Sequence, residues 1–585
     1  MSLDLENVSL NLIETTDDVD SFLDWMSLRR PIMGCDTETG GLEWWNKRLR
    51  TVQFGDFRAG WTIPWERWAG LVHQVFDRYT APIVFHNMKF DIHFLDEVGG
   101  IKEIDTRYFA DTKLMANILD SGNSASLKPL AVRHLDPRLQ HSQEELKHHM
   151  AKNGWTWDTV PFDFPPYWTY AALDPVLTAG IHEILEPKLE GDYRELYELE
   201  LSVHHIIRRM ETRGVRIDVE YCQAKRDALD KFTTEMKAYI KEEYHCGVTP
   251  AQVEKALLRE GVVLTKETAT GRLSVDADVL DGVDHPLAKD VLEYRQMLKV
   301  KNTYFENLLE CQDNGIVHAD ISPIQARTSR MSISRPPLQQ IPVRHGKSVR
   351  AAFIPRTGNL FVDADFDQIE QRLITHYSGE EAWLAAFEEA AQPGGLDVFT
   401  SLGRKLYHDP EMPKSDVRRT YLKNTAYGTA YGGGAEAVAH QSKLSIEETQ
   451  AFINEYFEMF PKVKALMDGT IAAVRKRKAD DGEPWIKTFY GRRLVVPEDR
   501  LYASTNYLIQ GTASDFFKRK LVELDNFDLA KFVVLPVHDE FLFDVPEADA
   551  QDIAKQVEEI LVDTDTFCVP ITAGVEIGAN WGLVH

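Results

Sequence analysis

Two sets of carboxylates stand out by residue type and spacing. In the C-terminal half, Asp363-Ala364-Asp365 closes the apolar run Leu360–Val362, and His538-Asp539-Glu540 separates two largely apolar runs, 531–535 and 541–545. Between them Arg419, Lys423, Tyr427 and Tyr431 recur at every fourth residue, which lines them along one stripe of a helix. Carboxylates at a strand end and a hairpin tip bind hard divalent cations, basic side chains neutralise a triphosphate, and a tyrosine ring offers a stacking surface for a base. If the two elements are adjacent, Asp365 and Asp539 are expected to bridge two Mg2+ ions about 3.5–4 Å apart.

A second set lies near the N-terminus. Asp36-Thr37-Glu38 follows the apolar run Ile32–Cys35, and alternate residues of a strand point the same way, so both carboxylates share a face. Asp91 ends the block His86–Asp91 after the apolar run Ile83–Phe85, at the expected start of a helix. Tyr170 and Asp174 are four apart, neighbours on one helical face. An all-oxygen set without Cys suits Mg2+ or Mn2+. The expected chemistry is two-metal hydrolysis, with Tyr170 orienting the nucleophile. A lone acidic pair on a strand end is most often a solvated or capping pair; three such blocks in this order predict a second metal-dependent site. The chain is thus expected to make a phosphodiester bond at one end and cut it at the other.

The elements that must position these residues follow from pattern. At 585 residues the chain is too long for one core and is expected to form three to five units. Residues 31–190 alternate short apolar strands with helical stretches, an α/β order. A helical stretch from Glu195 to Gly214 leads out of this unit into a mostly helical arm that runs to about Asn314, interrupted near Cys246–Pro250 and Thr268–Asp276. The remainder mixes strands and helices, with Gly432-Gly433-Gly434 ending the central helix.

Composition narrows the class. A hydrophobic content of 43% and 27% charged residues describe a globular protein, and no run of about 18 apolar residues predicts a membrane span. The acidic N-terminus lacks a signal peptide, and the five scattered cysteines, never spaced C-x-x-C, predict a reducing cytoplasm with no disulfide or zinc site. The net charge of -26 opposes nucleic acid at a distance. Yet Arg327, Arg330, Arg335, Arg344, Lys347 and Arg350 fall in a stretch, Ile321–Arg350, without one acidic residue. With further basic clusters between the carboxylate sets, this predicts a basic channel in an acidic body and salt-sensitive binding.

The N-terminal blocks resemble the three motifs of DEDDy-type 3′–5′ proofreading exonucleases, which have an RNase H-like fold; Asp36, Glu38, Asp91, Tyr170 and Asp174 each match a motif position. The C-terminal blocks resemble family A DNA polymerases, the bacterial DNA polymerase I type. Asp365–Glu370 matches motif A, Arg419-x3-Lys423-x3-Tyr427-x3-Tyr431-Gly432 motif B, and Val537–Glu540 motif C. Supporting matches run through Thr328–Ser332, Leu338–Pro342, Gln510–Ala513 and Gly578–Trp581, so the resemblance spans about Pro31 to His585. It implies an α/β and α+β multidomain fold: an RNase H-like exonuclease domain over 1–192, then a right-hand polymerase over 193–585, with thumb about 200–316, palm about 317–375 and 500–585, and fingers about 376–499.

The resemblance also implies roles. Asp365 and Asp539 hold two metal ions, as do Asp36, Glu38, Asp91 and Asp174 at the exonuclease site. Arg419 and the catalytic Lys423 hold the incoming dNTP together with Gln368, Tyr427, Tyr431 and Glu370. Glu370 blocks the 2′-OH of a ribonucleotide, Tyr431 stacks near the template base, and Tyr427 implies tolerance of dideoxynucleotides. Arg330, Arg344, Asn506, Gln510 and His538 contact primer–template DNA. Three positions depart from the family pattern: Asp367 stands for a Ser, Phe399 for a His that touches the triphosphate, and Tyr502 for an Arg that contacts the template.

The expected ligands are two Mg2+ ions per site (or Mn2+), primer–template DNA, dNTPs and single-stranded 3′ ends. The expected state is a monomer in the cytoplasm, that of a bacterial host if phage-encoded, with replisome proteins as further partners. A chain that begins directly at the exonuclease, without a preceding 5′ nuclease, is similar to phage replicative polymerases. Two rival readings are a nuclease whose C-terminal half only grips DNA and a non-enzymatic single-strand-binding scaffold. An ATP-driven helicase is disfavoured, because Ile341 stands where the first glycine of a P-loop ending in Gly346-Lys347-Ser348 must be.

Overall fold

The computed structural model describes residues 7–28, 30–101, 109–141, 143–268, 270–341, 343–442 and 444–584. Its N-terminal module is built on a six-stranded sheet of β1 (Ser9–Leu12), β2 (Met33–Thr39), β3 (Leu49–Gly55), β4 (Ala59–Pro64), β5 (Ile83–Phe85) and β6 (Phe109–Asp111), in the order β1-β4-β3-β2-β5-β6. Strands β2, β3 and β4 pair antiparallel, while β1, β5 and β6 join parallel to their neighbours. The short strands β1, β4 and β6 were not legible in the sequence.

Two glycines set the distance between this sheet and the helix across it. A Cβ on Gly34 or Gly60 would lie 2.0 Å from the Pro175 carbonyl oxygen or 1.9 Å from that of Ala172. Their bare backbones let the helix Pro165–Leu185 lie directly on β2 and β4. That approach carries Tyr170 and Asp174 to the strand bearing Asp36 and Glu38. At the end of β6, Asp111 accepts backbone N–H groups of Asn87 (3.2 Å) and Met88 (2.7 Å), which fixes the start of the helix Met88–His93 and so the place of Asp91.

The helix Asp192–Arg213 joins the two modules. Leu196 and Tyr197 bury in the N-terminal core, and Val203, Ile206, Ile207 and Met210 bury in the C-terminal one. An arm follows, of helices Val219–Glu243, Pro250–Arg259 and Pro286–Lys299, around its own small core of Ile240, Val253, Leu257, Leu287 and Val291. Its first non-helical gap falls near the predicted Cys246–Pro250; the second opens after Arg259, earlier than the predicted Thr268, and closes at Asp276.

The C-terminal module centres on a four-stranded antiparallel sheet of β7 (Asn359–Phe366), β8 (Val533–Val537), β9 (Glu540–Pro546) and β10 (Ala573–Gly578), ordered β8-β9-β7-β10. The helix Ser504–Asn526 packs behind it, with Phe517 stacked on Phe541 at 4.0 Å. The helix predicted from Asp367 begins two residues later and runs Ile369–Ser378, because Gln368 sits in the left-handed region at φ 52° as its N-cap. Ile369 and Leu373 form its buried ridge as expected.

Candidate active sites

The hairpin predicted around residues 536–540 turns within His538 and Asp539, with His538 at φ 56°. Glu540 pairs across the sheet with Asp365, and the N–H of Phe366 donates to the Asp539 carbonyl at 3.2 Å. Directly paired strand residues lie about 5 Å apart, so Asp365 lies beside Glu540, with Asp539 the next residue, at the turn. Asp365 is exposed at the strand end, yet the surrounding protein strips enough water to push its carboxyl up to about 8, and Asp539, Glu540 and Asp367 add to the rise. Burial also raises Asp539, against the pull of Arg330. One strand step inward, burial and then Glu540 and Asp365 push Asp363 up to about 9. Glu540, which accepts the indole N–H of Trp581 at 3.1 Å, and Asp363 thicken the acidic cluster beyond the two carboxylates predicted as ligands.

Among the described residues no three His, Cys, Asp or Glu side chains close into a ready cation cage. The oxygen-only donors nevertheless fit a hard divalent ion, since crowded, water-poor carboxylates repel one another until a cation joins them.

A cavity of 220 Å3 gathers Arg330, Gln368, Glu370, Tyr427, Tyr431 and Asp539. Glu370 is buried and takes the Arg330 guanidinium on one oxygen and the Tyr431 hydroxyl on the other. Arg330, expected on DNA, is here held by Glu370. Tyr431 caps the end of the helix Val417–Ala430 and stacks on Tyr427 at 6.4 Å. On the same helix, Arg419 donates through Nε (2.9 Å) and Nη2 (2.7 Å) to Asp397, while Lys423 is exposed. Asp397 also caps the helix Val398–Leu406. Phe399 is buried against Trp383 at 5.6 Å and beside Tyr427 at 6.1 Å, so this departure forms an apolar floor under Arg419 and Tyr427.

The remaining expected contacts are more dispersed. His538 meets the Gln339 carbonyl at 3.1 Å. Asn506 and Gln510 are half-buried on the helix Ser504–Asn526, and the side-chain oxygens of Asn506 and Gln368 are buried without a hydrogen bond. The side chain of Arg344 lies outside the described residues. Asp367 accepts the Thr572 hydroxyl at 2.7 Å, and Tyr502 is exposed, packed against Gly432, where a Cβ would lie 2.4 Å from its ring.

The N-terminal carboxylates also converge. Thr37 donates to Asp91 at 2.8 Å, and the Lys128 ammonium pairs with Asp174 while lying 4.4 Å over the Tyr170 ring. Gln143 donates to the Tyr170 hydroxyl at 2.8 Å. Burial raises Asp36 well above the usual range, with Asp91, Asp174 and Glu38 adding to it. Burial and then Asp174 lift Glu38 to about 8. Asp91 rises to about 8 by burial, against the Thr37 hydrogen bonds, and Asp174 rises by burial against Lys128. The Lys128 ammonium on Asp174 offsets part of the mutual repulsion of these carboxylates. Sequence reasoning gave no role to Lys128 or Asp397, which carry no local signal; Glu540 was read as part of the hairpin tip but not as a ligand.

The sequence model of DNA polymerase family A matches residues 219–583, more than half of the chain. The chain belongs to DNA polymerase family A. A 3′-5′ exonuclease model matches residues 11–190, so the polymerase carries an N-terminal exonuclease domain. It is 29% identical over 609 residues to the DNA polymerase of Mycobacterium phage D29, covering 99% of this chain and 97% of that one. The DNA polymerase of Mycobacterium phage L5 is 27% identical with the same coverage. The thermostable DNA polymerase I of Thermus caldophilus is 31% identical over 444 residues, 71% of this chain and 52% of that protein. The solved POL domain of Pol1 from M. smegmatis, in complex with DNA primer-template and dNTP, superposes with a TM-score of 0.77 at 23% identity, covering 98% of this chain and 100% of that one, a likeness of fold. Among the described residues of the polymerase, no helix is long and apolar enough to cross a membrane.

Proposed function

We propose that the polymerase extends a primer 3′-OH at the Asp365/Asp539 site and edits mispaired 3′ ends at the site of Asp36, Glu38, Asp91 and Asp174, in the service of DNA replication. The adjacency of Asp365 and Asp539 at one strand end, with Asp539 lining the cavity that also takes in Tyr427, Tyr431 and Glu370, carries this reading. Two Mg2+ or Mn2+ ions held by each carboxylate set would supply Lewis-acid activation of the attacking oxygen and offset charge on the leaving group.

The protein's own residues do the rest. Arg419 and Lys423 receive the triphosphate, which requires Arg419 to exchange Asp397 for phosphate oxygens. The primer 3′ oxygen forms a bond to the α-phosphorus as the bond to pyrophosphate breaks. Glu370, fixed by Arg330 and Tyr431, walls the sugar pocket against a 2′-OH, and Tyr431 meets the template base. Arg330, Arg344, Asn506, Gln510 and His538 hold the primer–template. Tyr170, oriented by Gln143, positions the water that cleaves a frayed terminal nucleotide.

In this reading the exonuclease domain spans 1–192 and the polymerase domain 193–585, and the protein acts as a monomer with replisome partners in a bacterial cytoplasm. The coverage of the two phage enzymes from end to end supports that setting. Primer extension with and without dNTPs tests it. Asp539→Ala should lose synthesis and keep 3′–5′ degradation; Asp36→Ala should do the reverse. Retention of synthesis by Asp539→Ala would sink the assignment.

A further inference from the structure

One basic side chain stands among the carboxylates of the exonuclease site without a part in the chemistry assigned so far. Lys128 is the second residue of the helix Leu127–His134. Its ammonium pairs with Asp174 and lies 4.4 Å over the Tyr170 ring. Burial raises the carboxyls of Asp36, Glu38 and Asp174, and Lys128 opposes that rise at all three. Arg50 also bears on Glu38, but its guanidinium is held by the carbonyls of Trp157 (2.6 Å) and Val160 (2.5 Å). The Lys128 ammonium has three N–H groups, of which Asp174 Oδ1 takes one, and 20% of the side chain stays open to solvent.

The fold fixes where this charge sits. Leu130 and Ala131, on the same helix, bury in one core with Val176 and Leu177 of the helix that carries Tyr170 and Asp174. The loop before Lys128 is pinned to the polymerase module, where the Ser121 hydroxyl accepts the Val495 N–H (3.0 Å) and donates to the Arg493 carbonyl (3.2 Å). An ion pair with Asp174 alone does not require the ammonium over Tyr170, the side chain that positions the attacking water in the proposed function.

Once ionised, Asp36, Glu38, Asp91 and Asp174 balance two divalent ions without remainder. A phosphodiester adds one negative charge, and hydroxide attacking it adds another. The new oxygen–phosphorus bond forms as the bond to the 3′ oxygen breaks. Negative charge gathers first on the non-bridging oxygens and then on the leaving oxygen, which takes a proton from water. We propose that Lys128 is a catalytic residue of the exonuclease: its ammonium, held between Asp174 and the Tyr170 ring, donates to a non-bridging oxygen of the scissile phosphate. The inference rests on the editing function and adds a residue to it.

The test uses the full chain and compares Lys128→Met, which keeps the stem and removes the charge, with Lys128→Arg, which keeps the charge. Degradation of a single-stranded oligodeoxynucleotide in Mg2+ should slow about a hundredfold in Lys128→Met, the scale of one lost donor to a developing oxyanion. Lys128→Arg should recover much of that loss. Binding in Ca2+, read by fluorescence anisotropy, compares two oligonucleotides that differ only in a neutral methylphosphonate at the 3′-terminal linkage. The wild type should prefer the charged linkage, and Lys128→Met should cut that preference about tenfold. Primer extension, which does not use this site, reports that each variant is folded; Lys128→Gln replaces Lys128→Met if that variant has lost it. A degradation rate equal to wild type overturns the proposal. So does a slow variant whose preference for the charged linkage is unchanged, since Lys128 then only shapes the pocket. Asp36→Ala separates the two readings: degradation that persists in that variant counts against the editing site itself, whereas its loss leaves the outcome to the Lys128 variants.

Discussion

Arg492 Nη2 lies 2.6 Å from Glu200 Oε1, and both side chains are at most 1% exposed. Arg492 Nε also reaches Asp515 at 2.7 Å, and Lys518 closes on the same Glu200 oxygen at 2.5 Å. The cluster ties the connecting helix to the loop between strands Trp485–Lys487 and Arg493–Val495 and to the helix Ser504–Asn526. Removing one member of a buried ion network strands its partners, at a cost of about 3–5 kcal/mol. Glu200→Gln should therefore lower the unfolding temperature by several degrees and reduce synthesis and degradation together on heating. Equal stability in calorimetry would refute the role given to this cluster.

Stability without metal should fall as pH rises. Asp365, Glu38 and Asp91 have folded pKa values pushed up to about 8, above the ordinary carboxylate range near 4. A group raised in this way favours folding at pH below its unfolded value and loses that contribution as pH climbs through the folded one. In EDTA the melting temperature should drop between pH 5 and pH 9. Mg2+ should shrink the drop, and Asp36→Asn, which removes one of the repelling charges, should shrink it in the absence of metal.

In the proposed function Asp397, which holds Arg419, competes with the triphosphate for it. Asp397→Asn removes the charge while keeping an oxygen to cap the helix Val398–Leu406. A partly exposed ion pair is worth up to about 1 kcal/mol, so the KM for dNTP should fall by up to about fivefold with kcat little changed. A rise in KM would mean that Asp397 aims Arg419 instead of restraining it.

Glu370→Ala removes the acceptor shared by Arg330 and Tyr431. The ratio of kcat/KM for dNTP over rNTP should fall by about tenfold to a hundredfold, the scale of one lost discriminating contact. Undiminished selection against ribonucleotides would place the sugar gate elsewhere.

Local pattern carried much of this architecture. The Asp365 strand and the Asp539 hairpin were legible because apolar alternation ends in acid at each, and sheet pairing then brings the two ends together. Arg419 to Tyr431 was legible because a four-residue interval survives folding as a helical stripe. The αL turn at Gln368 was not, since Gln carries no preference for positive φ and tertiary packing imposes it. Nor was Lys128 on Asp174: the two are 46 residues apart and meet only because Gly34 and Gly60 let a helix settle onto the sheet. The Glu200–Arg492 pair, 292 residues apart, had no local signature at all.

The connecting helix contributes Leu196 and Tyr197 to one core and Val203 through Met210 to the other, and the Tyr197 hydroxyl accepts the N–H of Asp111 at 3.0 Å. Scissors applied on either side of this helix would leave one fragment with an open apolar wound and the other with an unsealed one. A stand-alone version of either catalytic half therefore calls for keeping the helix whole and recolouring its orphaned side with polar residues, beginning at Leu196 for the synthetic fragment and at Ile206 and Ile207 for the editing fragment.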